Sequence, residues 1–194
     1  MLASAIIAGV RRVTNDAIED YRTSDAEMLA WIGEGQRRVC VVHPEQSTTR
    51  SSLSLADGAR QNLPAGAIAL LDIPRNTSGT AIRRTSRALL DAFLPNWYGA
   101  TASSTIENFI YDAEEPTVFH VYPPAQAGTQ VDAIYSTLPA DPATADTALT
   151  VQDQYADVIQ NYVLFRLYSK DTEDAAAAQV AAAYLQLFTA QVGA

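Results

Sequence analysis

The chain has 194 residues, a formal net charge of −9 and a single cysteine, Cys40. That length buries close to about 70% of the unfolded surface, so the fold needs no staple, and one cysteine excludes an internal disulfide and a multi-cysteine zinc site. The acidity disfavours sequence-independent gripping of a phosphate backbone, and no apolar run approaches the ~20 residues that span a bilayer. MLASAIIAGVRR therefore reads as an amphipathic helix of a cytosolic product, with no basic region ahead of its apolar run.

Ala3 to Val13 places Ile6, Ile7, Val10 and Val13 on one side, which predicts a first short helix. Asn15 to Thr23 is polar and turn-prone. The strongest signal follows. Ser24 and Glu27 stand in capping-box spacing, so a helix is predicted to start at Asp25. Met28, Ile32, Gly35 and Val39 share one narrow stripe with Trp31 beside it, the pattern of a core-facing helix. Arg37 and Arg38 are placed in the last turn, where cations favour the carbonyl end. Gly33 and Gly35 together cost this helix about 2 kcal/mol relative to alanine, and Gly35 on the buried stripe implies close packing of a second helix. His43-Pro44 ends the helix, because the residue before proline is pushed out of the α region.

From Glu45 to Leu149 the helical period fades. Ser52–Ala56 and Arg60–Leu63, joined by Asp57-Gly58, predict a hairpin. Ala67–Ile73 reads as a buried strand and Thr80–Thr85 as a weaker one. Ser86 caps a short helix over Arg87–Leu94 that Pro95 stops, and Asn96–Ser104 is loop. Strands are predicted at Asn108–Tyr111, Thr117–Tyr122 and Gln130–Ser136, with Pro123 to Gly128 as an intervening turn. In TVFHVY, alternate residues face opposite ways and both faces are apolar enough to be partly covered. Leu138 to Leu149 is an extended connector, of a length that in a compact chain is functional or draped over a neighbour.

Helix resumes at Thr150, with Asp153 supporting its cap. Tyr155, Ile159, Tyr162 and Arg166 form one stripe, and Val158, Val163, Leu164, Phe165 and Leu167 make the second half apolar nearly all round, as in a helix at the centre of a core. After a break at Ser169–Asp171, a last helix runs from about Thr172 to Gln191, presenting Val180, Tyr184 and Leu187 with alanines between.

Little in this pattern suggests chemistry. His43 and His120 have no ligand or base partner at helix or strand spacing, so His120 reads as a satisfied strand histidine. Glu114-Glu115 precedes a proline in a turn and is solvent-facing. Asp171, Glu173 and Asp174 crowd a helix start and lack the glycine and alternating oxygens of a calcium loop. There is no phosphate-cradling loop, nucleophile elbow or dinucleotide fingerprint. No catalytic, cofactor-binding or metal-ligating residue is assigned, and no cofactor is expected. Arg166 lies on the apolar stripe, and an unpaired buried guanidinium is costly, so it is expected to pair with Asp25 or Glu27. Residues 106–150 hold seven acids and no lysine or arginine, whereas residues 51–105 hold five arginines and three aspartates.

The helix from Ser24 carries a family likeness. Ser24, Asp25, Glu27, Leu29, Trp31, Ile32, Gly35, Gln36, Arg37 and the exit at His43-Pro44 resemble the N-terminal signature of phage head-to-tail adaptors, connector subunits called tail tubular protein A in short-tailed phages. Asn62-Leu63-Pro64, LLDIPR from Leu70, Leu90 to Trp97, FHVYPP from Phe119, Gly128-Thr129-Gln130 and YVLFRLYSKD from Tyr162 follow in the family's order. Gly33 departs from it, where the family often has a polar residue.

The likeness implies a virion structural protein of the neck, twelve-fold in related connectors, with the portal protein and a tail tube or nozzle protein as partners. DNA would pass through the ring's lumen without sequence-specific binding, and no membrane is involved; the acidic run over residues 106–150 reads either as a solvated face or as a wall lining such a passage. The bottom-up fold is α+β: an antiparallel bundle from the N- and C-terminal helices, residues 1–46 and 150–194, with a β-rich insertion, residues 47–149, between them. Ser24, Glu27, Trp31, Gly35, Tyr162 and Arg166 are the residues expected to hold it together. The connector is expected to order only in the ring. The rival reading is a small cytosolic enzyme or ligand-binding domain, with His120 in a deep pocket.

Overall fold

A computed structural model describes residues 1–16, 22–170 and 174–193, which form an α+β structure with five α-helices and two sheets. The chain divides into two compact units: Met1–Ser47 together with Pro139–Ala194, and Thr48–Leu138.

The first unit holds α1 (Ala3–Thr14), α2 (Asp25–Val42), α4 (Ala156–Tyr168) and α5 (Ala175–Val192) around one apolar core. In α1, Ile6, Ile7 and Val10 are buried, but Val13 is exposed, because the helix turns its last residues off the core before Asn15 ends it in a left-handed conformation. In α2, Ser24 caps as its spacing predicts: the Glu27 N–H donates to Ser24 Oγ. The predicted stripe is buried and is wider than expected, taking in Leu29, Gly33, Gln36 and Cys40. Arg37 and Arg38 are not in the last turn, because the helix runs to Val42, one full turn beyond, before His43-Pro44 stops it.

α4 packs against α1, α2 and α5, as its all-round apolarity suggests. It starts later than predicted. Thr150 does not cap it; the Thr150 N–H instead donates to the buried Gln36 Oε1 at 2.8 Å, and a 3-10 turn at Asp153–Tyr155 leads into Ala156. α5 is rotated from expectation. Ala177, Ala181, Phe188 and Val192 are buried while Val180 and Leu187 are exposed, since small alanines let the helix lie close to α4. The predicted break at Asp171 and start at Thr172 lie outside the described residues.

The connector is hydrogen-bonded to the start of α1 in the same chain. Ala3 N–H donates to Thr147 O, Ser4 N–H to Ala145 O and Leu149 N–H to Met1 O, so connector carbonyls satisfy the first donors of α1, a helix with no side-chain cap.

The second unit holds a three-stranded sheet, order β1-β7-β3, and a four-stranded sheet, order β2-β6-β5-β4. Their strands are β1 (Thr48–Ser54), β2 (Gly58–Asn62), β3 (Ala67–Asn76), β4 (Arg83–Arg84), β5 (Asn108–Tyr111), β6 (Val118–Ala125) and β7 (Gln130–Thr137), with α3 (Arg87–Phe93) after β4. One core, including Ile73, Ile106, Phe109, Phe119, Val121 and Val131, is shared by both sheets. The other face of the four-stranded sheet is covered by Leu90 of α3 and by Trp97. Both faces of β6 are thus covered, as its alternation suggests.

The hairpin predicted from Ser52 to Leu63 does not form. β1 pairs with β7 and β2 with β6, so Asp57-Gly58 carries the chain from one sheet to the other. A side chain closes this corner: Gln61 accepts from Ala56 N–H and donates to Ala56 O and Gly58 O, while Gly58 takes φ +99°. β6 also runs through Pro123 and Pro124, read from sequence as a turn. The prolines fall beyond the β5 pairing, which ends at Tyr122, and within a register shift against β2, where no ladder donor is required.

Candidate functional site

Of the residues singled out by sequence, Trp31, Gly35, Tyr162 and Arg166 meet where α2 packs on α4, Glu27 pairs with Lys170 just past α4, and Ser24 caps the start of α2. Gly35 removes a side chain where α4 arrives: a Cβ there would lie 3.3 Å from Tyr162 Cδ1 and 3.5 Å from Ile159 Cγ2. The close helix inferred from Gly35 is α4. Tyr162 is almost wholly buried, against Phe188 at 5.0 Å between ring centroids, and its hydroxyl donates to Glu34 Oε2 at 2.9 Å.

Arg166 pairs with neither Asp25 nor Glu27. Its partner is Glu34, and it also donates to the Tyr162 hydroxyl at 3.4 Å. Asp25 is taken by Arg11 of α1, and Glu27 by Lys170 at 2.9 Å. The reason is geometric. The pairs step down α2 from Glu34 to Glu27 as they step up from Arg166 to Lys170, so the two segments run in opposite directions and Arg166 meets α2 two turns above its start. Trp31 lies between the pairs, with Arg166 Cζ 5.9 Å and Lys170 Nζ 5.7 Å from its ring, and Arg38 stands 5.3 Å from the Tyr162 ring. The hydrogen bond with Tyr162 and then the charge of Glu34 raise the Arg166 pKa against the opposing effect of burial. Its cation is permanent.

Sequence reasoning missed Glu34 although the signal was present. Glu27, Trp31, Glu34 and Arg38 recur at three- and four-residue steps, one helix face, matched by Tyr162 and Arg166 on α4 and by Lys170 just past its end. It named Gly33 without identifying the neighbour that this glycine serves. A Cβ on Gly33 would fall 1.9 Å from Asp141 Oδ1 and 3.2 Å from Asp141 Cα, so this glycine admits the connector, whose Asp141 pairs with Arg37. The departure from the family pattern at Gly33 has a packing reason.

The arrangement joins α2 to α4 through an ion pair, a hydrogen bond to a carboxylate and a close approach at Gly35. Among the described residues no group of three or more His, Cys, Asp or Glu has metal-holding geometry, and no helix is long and apolar enough to cross a membrane. Cys40 is buried and its thiol is pushed up, mainly by desolvation. His120 is half-buried with its ring edge-on to Trp97 and Tyr98, at 6.1 and 5.6 Å. Burial is the main cause of its lowered pKa, with Glu115 opposing and Arg60 and Arg87 adding to it. Trp97 in turn donates to Asp91 at 2.8 Å.

On the outer side of the three-stranded sheet lies an open groove of about 510 Å³, lined by Arg50, Ser52, Arg75, Asp132 and Ile134 among others. Arg75 donates to Asp132 at 2.6 Å and Thr77 at 2.9 Å, which lowers the Asp132 pKa. Arg50, by contrast, is exposed and has no ion-pair partner among the described residues.

Comparison with protein-family models matches residues 1–194 to the family described as SU10 adaptor protein. No curated protein matches the chain.

Proposed function

We propose a role in the virion neck from the premise that this chain belongs to the SU10 adaptor protein family, phage structural proteins of the head-to-tail junction. The observation that carries the reading is the family match over residues 1–194. In this reading the protein is structural and non-enzymatic. Copies assemble into a ring, twelve-fold as in related connectors, between the portal protein and the tail tube or nozzle, and DNA passes through the lumen without sequence-specific contacts. A subunit with net charge −9 suits such a passage, because it repels the phosphate backbone instead of holding it.

Each part of the fold has a place in this proposal. Residues 1–46 and 150–194 act as one antiparallel helical domain, and residues 47–149 as a β-rich insertion. Ser24, Glu27, Trp31, Gly35, Tyr162 and Arg166 keep the helical part rigid, so that contacts made at its surface are transmitted to the neighbour without deformation. Rigidity is supported by the Glu34–Arg166 and Glu27–Lys170 pairs bracketing Trp31.

The test is negative-stain imaging and mass photometry of the purified chain, alone and mixed with the portal protein of the same phage. Rings, formed alone or nucleated by the portal, are the expected result. A monomer that remains monomeric and ignores the portal removes the reading.

A further inference from the structure

The Thr48–Leu138 unit carries charge that it does not neutralise within itself. Arg50 projects from β1 into the groove on the three-stranded sheet. In the ladder Arg50 stands opposite Ile134 and Arg75 opposite Asp132, on the two strands flanking β7. Strand spacing sets the two arginines roughly 12 Å apart at Cα, and among the described residues Asp132 is the one carboxylate that lines the groove. The groove is therefore short of one negative charge.

The same unit has the opposite imbalance elsewhere. The turn between β5 and β6 presents Asp112, Glu114 and Glu115, all exposed. It is held by its own backbone: Glu115 N–H donates to Asp112 O at 3.2 Å, and Glu114 N–H to Asp112 Oδ1 at 3.0 Å. Glu114 and Glu115 have no ion pair among the described residues. Groove and turn belong to different sheets, so each copy offers two different complementary patches. That is the requirement of a heterologous contact, which closes into a ring when the rotation allows.

We infer that the Arg50–Arg75 groove of one copy receives the Asp112–Glu115 turn of the next copy. The contact rests on the ring reading above and names one surface through which subunits recognise each other. It is electrostatic and rim-exposed, so it sets partner choice and association rate and is weakened by salt. A DNA strand is a poor occupant for the same groove, because the surrounding subunit is acidic overall.

The experiment uses the full chain, alone and with the portal protein. Arg50→Glu is expected to weaken self-association about tenfold at low salt, and Glu114→Arg with Glu115→Arg to do the same. Combining all three restores association to within about threefold, which a folding defect cannot do. Independently, Ser52→Cys with Ala113→Cys is oxidised in the assembled sample, and a ladder of crosslinked multimers is expected; Cys40 is buried and the unsubstituted chain is the control. Rings that form without a ladder and with unchanged Arg50→Glu association overturn this contact and leave the ring reading intact. Loss of portal binding in Arg50→Glu with self-association unchanged assigns the groove to the portal and also overturns it. Absence of rings in both samples overturns the ring reading and this contact with it.

Discussion

Gly33 and Gly35 sit two residues apart on one helix and serve different neighbours. At Gly35 an added methyl meets side-chain carbons at ordinary to slightly tight distances, so Gly35→Ala is expected to be near neutral: the helix gains about 1 kcal/mol and the seam loses a similar amount. Gly35→Leu has no room and is expected to cost about 1–3 kcal/mol through overpacking, read by urea denaturation. Gly33→Ala meets Asp141 backbone as well as its carboxylate; it should abolish the Arg37–Asp141 pair and show no gain in melting temperature despite the better helix former. Across the seam, Tyr162→Phe removes a hydrogen bond to a carboxylate and is expected to cost about 1–2 kcal/mol. Glu34 and Arg166 are each about a third exposed, so solvent screening holds the pair itself to about 1 kcal/mol or less. His120 makes a pH test possible. Its pKa is lowered by folding, so below the unfolded value of about 6.5 the unfolded chain binds the extra proton first. Stability is then full above that value and falls as pH drops through it toward the folded pKa. His120→Gln is expected to lose less stability than the parent between pH 7 and 5.5, and an equal loss would exclude His120 as the titrating group.

At the scale of elements, local signals were legible wherever a side chain acts on its own backbone. Ser24 and Ser86 cap α2 and α3 at the residues that spacing indicates, because a cap needs only the next three residues. Strand partners were not legible. β1 and β2 are joined by turn chemistry yet pair with β7 and β6, more than fifty residues away, since Leu55 and Gln61 must enter the core at that corner. Asn76 shows how such long-range closure is made. It is buried, takes the Ile106 N–H at 2.9 Å and donates to Ile106 O at 2.7 Å and Thr80 O at 3.1 Å, standing in for a strand. Asn76→Ala strands two buried backbone groups and is expected to cost more than about 2 kcal/mol. The connector belongs here too. The amides of Ala3, Ser4 and Leu149 are bonded within one chain, so hydrogen exchange should find them protected in the monomer, with little further protection on assembly.

At the scale of the whole molecule, residues confined to one helix face converge without being close in sequence. Glu34 and Arg166 are 132 positions apart, and sequence reasoning placed the arginine correctly as needing a carboxylate while choosing the wrong one, because helix direction and offset decide which acid it reaches. By itself the sequence determined the α+β class, the helix and strand types in order, the capped start of α2, the buried stripes of α2 and α4, and the adaptor family through motifs spread along the chain. Each of these depends on periodicity, caps or residue identity within a few positions. Only the tertiary structure decided which strands share a sheet, which face of α5 is buried, what holds the connector, and which acid and base pair across the seam. Those outcomes are set by packing between distant segments, where several registers satisfy the same pattern and the close fit of particular side chains, such as Gly35 against Tyr162, selects one of them.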